Sequence, residues 1–481
     1  MSKFYITTAI AYTNAKPHIG FAMELVQGDV VARWRRQLGD SVIFTTGTDE
    51  HGSKIYKAAT EAGKHPQEYV DEISTHFNEL ALTLNVKYDR FVRTSNPAHK
   101  EAARYLWQKL KDDLYKGTYK GWYCVGCEAY VSAEEAQTNK GECPLHNQPY
   151  EEIEEENYFF KLSKYTQEIK EAIETDRYRV IPKSRKHEIL KVLEGGLEDI
   201  SFSRSKEKLP WGIEVPDDPD QVMYVWPDAL TNYISILGYP EDPDFSAYWP
   251  ADVHIIGKDI LRFHAAIWPA MLLSAGLELP HVLYVHGFIT AGGKKMSKSL
   301  GNVIDPAEVV QEYGTDALRY YLLSQIPSAQ DGDFTWERFE TVYSSELADE
   351  LGNLVQRVAA MIQKYQDGVV GRVPPHGHDM AAYEKAMQNL QFDKALSEVW
   401  AVIRGLNKFV DEEKPWEIAK SGDVEHLQEV LAYLVGSIQR VAELLQPFMP
   451  STAKKIQDAY GTEKVKSSEI LFPKHEVEPE K

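Results

Sequence analysis

Three lysines crowd one glycine-bounded stretch, "AGGKKMSKSLGN": Lys294, Lys295 and Lys298 follow Gly292 and Gly293, and Gly301 closes the run. A loop of this composition can swing over a polyphosphate and neutralise it. The same letters also suit an ordinary solvated turn. Near the N-terminus, "KPHIGFAMELVQGD" sets His18 just ahead of a helical pattern. There an imidazole N–H, the first helix amides and the helix dipole all favour anionic oxygens. A third constellation pairs Cys124 with Cys127 and, after fifteen intervening residues, Cys143 with His146, using all three cysteines of the chain. Thiolate and imidazole are the ligands zinc prefers, and four protein ligands leave no open coordination position, so the expected site is structural. Unrelated reduced cysteines beside a stray histidine fit this spacing less well.

These groups need elements to hold them. "FYITTAI" reads as a short buried strand, "FAMELVQGDVVARWRRQLG" as a helix capped at Gly39, and "SVIFTTGTDEHG" as a second strand ending in a polar loop. Strand–helix–strand alternation implies a parallel sheet with right-handed crossovers, whose carboxyl ends form the ligand crevice. From Tyr115 the character changes to the cysteine-bearing segment, and "EEIEEEN" reads as a solvated edge. The α/β pattern resumes near Val222 with "VMYVWPDALTNYISILG", "DVHIIGKDILRFHAAIWPAMLLSAG" and "HVLYVHGFIT". Beyond Ser344 apolar residues recur at helical spacing, which implies a helix bundle. The expected divisions are 1–114 and 222–290 for the two halves of the α/β domain and 115–221 for the insertion. The lysine loop and a linking region take 291–343, and the bundle 344–481.

The 481 residues suggest about three domains, and 43% hydrophobic content is ample for packed cores. No apolar run reaches the roughly 20 residues a bilayer span needs, and "MSKFYITTAIAYT" lacks a signal-peptide pattern, so a cytoplasmic protein is expected. A formal charge of −20 argues against recruitment of nucleic acid by overall charge, though a local basic surface survives screening over about 8–10 Å.

Taken together, "HIGF" and "KMSKS" resemble the paired signatures of class I aminoacyl-tRNA synthetases. Within that class the chain is similar to the methionyl-tRNA synthetases. The resemblance runs from about Phe4 to about Gln446 through "TTAIAYTNAKPHIGF", "TGTDEHG", "ENYFFKLSKY", "YVWPDALTNYI", "HIIGKDILRFHAAIWPAM", "HGFITAGGKKMSKSLGN" and "LGNLVQR". It implies a Rossmann-type catalytic domain split by a zinc-knuckle insertion and followed by an all-α anticodon-binding bundle. It also implies activation of L-methionine by ATP, with Mg2+ accompanying the nucleotide, and transfer to tRNA(Met), the initiator tRNA included. Two anions must meet in the first step, so positioning and charge neutralisation dominate it. His18, Lys295 and Lys298 are the implied catalytic residues. Phe21, Glu24, Gly257, Asp259, Ile289 and Ser297 join them around ATP. Gly257 admits the ribose, Asp259 accepts from its hydroxyl, and Glu24 reads equally well as a solvated helix position. Phe21 stands where the family commonly has a second histidine, so one imidazole must suffice.

The positions matching the amino-acid pocket are Ile10, Tyr12, Asp49, Trp226, Ala229, Leu230, Tyr233, His264, Ile267 and Trp268. Asp49 can pair with the substrate ammonium, Trp226 and Trp268 can offer soft aromatic surface to a thioether, and Tyr12 and His264 can orient the sulfur. Both tryptophans also read as core. Leu230 and Ile267 depart from residues common in the family and alter pocket shape. Asn353, Arg357 and Trp416 match anticodon-reading positions, where Trp416 can stack on a base or fill core. A monomer without appended domain or large editing domain is expected. An apolar pocket separates single methylenes by only ~1–3 kcal/mol, so homocysteine is expected to be misactivated. Two other classes remain: a ligase using the same phosphate chemistry on a small metabolite, and an RNA-binding relative without activity.

Overall fold

The computed structural model describes residues 2–126, 129–131, 133–144, 147–296, 302–371, 373, 379–461, 464–467 and 469–474, without the side chains of 129, 130 and 295. Cys127, His146, Ser297 and Lys298 lie outside the described residues. The chain divides into two compact units, one of residues 1–17, 39–82 and 87–286, the other of 18–38, 83–86 and 287–481.

The first unit is built on a seven-stranded sheet of β1 (Lys3–Thr8), β2 (Ala11–Tyr12), β3 (Ser41–Asp49), β4 (Arg90–Arg93), β5 (Arg179–Ile181), β6 (Val253–Gly257) and β7 (Val282–His286). Its central order is β3–β1–β6–β7–β5, with β2 and β4 both on β3, and every pairing is parallel. Tyr5 lies opposite Ile43 and Ile6 opposite Val253, which keeps the runs read as strands buried on both faces.

Two features depart from the sequence expectation. β5 comes from the middle of the segment expected as one insertion, yet it pairs with β7, and Ile169, Ile173 and Ile189 pack into the same core as Ile256 and Leu283. The strand ending in Met223 does not rejoin the main sheet. Residues Asp218–Met223 pair antiparallel with Ser203–Ser205 and Glu214–Val215. Their polar first half, Asp218 to Gln221, is at odds with a place buried on both faces. The cysteine-bearing segment forms a second antiparallel sheet, in which Leu114–Cys124 runs against Glu151–Phe160 from Leu114 opposite Phe160 to Tyr123 opposite Glu151.

The second unit contains the helix α1 (Ile19–Gln37), a small sheet and the bundle. The bundle's long helices are Asn353–Gln366, Phe392–Glu413 and Val424–Leu445, and the first of them continues a π-helical stretch, Tyr343–Gly352. Leu354, Val358, Val399, Ile403, Leu434 and Ile438 fill its core. No described helix is long and apolar enough to cross a membrane.

Candidate active site

In the first unit, polar and aromatic side chains gather at the carboxyl ends of the parallel strands. Asp49 closes β3, is buried, and pairs in register with Tyr12 of β2. Ile10 and Tyr12 are partly exposed beside it. The helix Val225–Leu230 carries Trp226, Ala229 and Leu230; Trp226 is half-buried and stacks on Phe263 with ring centroids 3.5 Å apart.

Tyr233 and His264 are linked by a hydrogen bond of 2.6 Å between the Tyr233 hydroxyl and His264 Nε2. His264 Nδ1 lies 3.0 Å from the Ile260 carbonyl, which can only accept. Nδ1 therefore carries the proton and Nε2 accepts from Tyr233. Burial pushes the His264 pKa down to about 4, so the pair is uncharged at neutral pH. Both His264 nitrogens are thus engaged within the protein. Trp268 is wholly buried (0% exposed) and packs 5.8 Å from Tyr233, so it backs that ring without lining an open surface. Its indole N–H donates to His254 Nε2 at 3.3 Å, and His254 Nδ1 in turn donates to the Thr7 hydroxyl at 2.7 Å. Ile267, also buried, joins the same apolar core. At the end of β6, Gly257 is buried and Asp259 exposed.

Sequence reasoning passed over one buried array here. Asp228 accepts from His51 Nδ1 at 2.7 Å through one carboxylate oxygen and from His99 Nε2 at 2.8 Å through the other. Desolvation opposes its ionisation, but the two histidines hold its pKa down to about 2. His51 lies within the quoted "TGTDEHG" and Asp228 within "YVWPDALTNYI", so polar residues in otherwise apolar strand ends were the available signal.

The cysteine segment brings Cys124 and Cys143 into one small buried cluster with Val131, Ala136 and Tyr150. Cys143 N–H donates to the Gln148 carbonyl at 2.9 Å, and the Cys143 carbonyl accepts from Asn147 N–H at 2.8 Å. Two buried thiols brought into one cluster are the kind of donor pair a zinc knuckle uses.

In the second unit, His18 caps α1. Its backbone is extended (φ −134°), and its Nδ1 accepts from Gly20 N–H at 3.1 Å. A Cβ at position 20 would stand 2.9 Å from the His18 ring, so glycine lets the cap form. With the Nδ1 lone pair committed, the neutral ring carries its proton on Nε2 and presents it as a donor. Part of the ring remains exposed, yet the protein packed around it desolvates it and lowers its pKa. Phe21 occupies the first turn, partly buried, and Glu24 is buried, which sets aside its reading as a solvated position.

The lysine stretch begins as a hairpin. Ile289–Ala291 pairs with Lys294–Lys295, and Gly292 (φ 60°) and Gly293 (φ 74°) form the two-residue turn that only left-handed residues make without strain. Asp333 Oδ1 accepts from the Thr290 hydroxyl at 2.6 Å and from Gly293 N–H at 2.8 Å, anchoring the turn. In the bundle, Asn353 and Arg357 share a helix face. Asn353 is exposed, and Arg357 reaches Asp411 at 2.9 Å and Asn407 at 3.2 Å on the neighbouring helix. Trp416 is half-buried at the start of the helix Pro415–Ser421, so it is not a core residue.

Comparison with known proteins agrees with this layout. Residues 4–152 and 145–359 match the family described as tRNA synthetases class I (M), and residues 376–472 match the anticodon binding domain of methionyl tRNA ligase. The methionine–tRNA ligase of Thermotoga maritima is 43% identical over 98% of this chain and 77% of its own length. That of Brucella melitensis is 43% identical over 95% of this chain and 91% of its own. Among solved structures, Mycobacterium tuberculosis methionyl-tRNA synthetase in complex with methionyl-adenylate superposes with a TM-score of 0.90 at 38% identity, covering 95% of this chain and 94% of that one. A chain matched at this identity over nearly its whole length, in both its catalytic and its helical part, belongs to the methionyl-tRNA synthetase family of class I.

Proposed function

We propose that the chain activates L-methionine with ATP and passes the methionyl group to the 3′ end of tRNA(Met), acting in the cytoplasm. The observation that carries this reading is the joint presence, in one chain, of the matched catalytic and anticodon-binding segments. In the first step a methionine carboxylate oxygen attacks the α-phosphorus of ATP, and the bond to the departing pyrophosphate breaks. In the second a terminal ribose hydroxyl of tRNA attacks the mixed anhydride and AMP leaves.

Each residue then has a task. Asp49, buried and aligned with Tyr12, takes the substrate ammonium. The neutral Tyr233–His264 pair, with Ile10, Trp226, Ala229 and Leu230 around it and Ile267 and Trp268 behind, forms an uncharged seat for a thioether. Polar orientation of the sulfur comes from Tyr233, which His264 holds in place. His18 Nε2–H donates to phosphate oxygen at the N-terminus of α1, and Phe21 supplies shape. Gly257 and Asp259 receive the ribose, and Glu24, Ile289 and Ser297 complete the nucleotide side. Lys295 and Lys298 stabilise the charge gathering on pyrophosphate, each such donor typically contributing about 10²–10³ in rate. Mg2+ bound with ATP would supply further neutralisation of phosphate charge. Cys124, Cys127, Cys143 and His146 would hold a structural zinc ion, which would supply a cross-link within their segment. Asn353, Arg357 and Trp416 read the anticodon, with Asp411 and Asn407 pre-setting the guanidinium.

Methionine-dependent ATP–pyrophosphate exchange and charging of tRNA(Met) test the reading together, and both should be positive. Exchange without charging would favour the metabolite ligase, and absence of both the inactive RNA binder.

A further inference from the structure

His51 is 2% exposed and stands two residues beyond Asp49, where the chain leaves β3. Its Nδ1 meets Asp228 Oδ2 at 2.7 Å. Asp228 is fully buried and ionised, so it can only accept, and the proton on this bond belongs to His51 Nδ1. The opposite oxygen of Asp228 takes the Nε2–H of His99, whose Nδ1 lies 2.8 Å from the Ser235 hydroxyl. Three segments are thereby locked: the loop after β3, the helix Pro97–Lys109, and the helix Val225–Leu230 that carries Trp226, Ala229 and Leu230. His99 uses both ring nitrogens. His51 does not: its Nε2 is buried and has no hydrogen-bond partner among the described residues. In the neutral ring that atom is a lone-pair acceptor, and a buried acceptor left without a donor is destabilising by about 1–3 kcal/mol.

The chain beside His51 is anchored by its neighbours. Arg93 grips the adjacent Glu50 with two hydrogen bonds, of 2.7 and 3.0 Å, and the Trp211 indole N–H donates to the Glu50 carbonyl. The Trp211 ring also packs 5.4 Å from that of His51. A rigid, desolvated acceptor whose orientation is set by a carboxylate behind it is suited to a ligand donor.

We propose that His51 Nε2 accepts a hydrogen bond from the α-ammonium of the bound amino acid, sharing that group with Asp49. The inference rests on the assignment of Asp49 to the ammonium. Of the donors that the reaction brings, the ammonium is the one placed by the same strand end, and its three N–H groups exceed what one carboxylate oxygen can take. Asp228 and His99 are positioning residues that act through His51; they select the tautomer and do not touch substrate.

His51→Asn separates the roles, because its amide nitrogen retains the bond to Asp228 while the ε nitrogen is deleted. The probes are L-methionine and 4-(methylthio)butanoate, which lacks only the amino group, each measured by its effect on pyrophosphate exchange. His51→Asn should weaken L-methionine about tenfold through KM with little change in kcat, and leave inhibition by the deaminated compound unchanged. Equal weakening of both, or of neither, overturns the proposal. If His51→Asn does not fold, His51→Gln, which restores a polar atom near the ε position, should recover most of the discrimination between the two probes; failure to do so in a folded variant also overturns it. Exchange by the unsubstituted protein is the control that separates failure of this contact from failure of the functional reading.

Discussion

Asp228 and Asp29 are both wholly buried carboxylates with two basic neighbours, yet they close their surroundings differently. Asp29, on α1, meets Arg33 at 2.6 Å and Arg319 at 2.7 Å. Arg319 spends its remaining donors on the carbonyls of Phe448, Leu84 and Pro447, at 2.7, 3.1 and 2.9 Å, and Arg33 reaches the Asn85 carbonyl at 2.7 Å. That network ends on backbone and ties α1, residues 84–85 and the turn at 447–448 into one body. The Asp228 network ends on His51 Nε2, which faces no protein donor among the described residues. Both arrays rigidify the fold. Only the open one has capacity for a ligand, and capacity left over in a buried network is a better marker of a site than burial or charge alone.

The largest effect should come from the closed array. Arg319→Met removes one side of a buried ion pair and strands three carbonyls, and urea unfolding should register a loss of about 3–5 kcal/mol. A loss below about 1 kcal/mol would mean that the array is not the closed structural unit described. Next comes acid. The folded-state pKa of His264, about 4, lies below its ordinary value of 6.5, so the native protein binds fewer protons than the unfolded chain between those values. Stability should be full above pH 6.5 and decline as pH falls towards 4, by about 3 kcal/mol from this group. His254, lowered by burial and by His264, adds in the same direction. A flat stability profile across that window, in denaturant titrations at stepped pH, would contradict the buried neutral histidines. Tyr233→Phe should follow, with about 1–3 kcal/mol lost in methionine binding or stability as His264 Nε2 loses its donor; calorimetric titration with methionine checks it. The smallest effect should be Trp416→Ala, about 1 kcal/mol in tRNA charging with pyrophosphate exchange near normal. Equal loss of both activities would mark Trp416 as structural.

How much of this was readable in the sequence follows from how local each feature is. β1 and β3 were legible because Tyr5–Ile6 and Ile43–Phe44 are short apolar runs buried on both faces. The bundle was legible because its apolar residues keep helical spacing over helices as long as 22 residues. β5 was not: three residues between two helices carry no period, and only pairing with β7 makes them a strand. The strand ending at Met223 was assigned to the wrong sheet because an apolar run identifies a strand without naming its partner. The residues of the pocket could be listed from the resemblance, but the hydrogen bonds that turn His264 into a support for Tyr233 depend on the Ile260 carbonyl one helical turn away. The Asp228 array joins positions 51, 99 and 228, and no spacing along the chain announces that meeting.

The cap at His18 decides what kind of group its ring offers. Its Nδ1 accepts from Gly20 N–H and desolvation lowers its pKa, and both favour the neutral ring. Nε2–H then behaves as a permanent dipole, closer in kind to a backbone amide than to an acid.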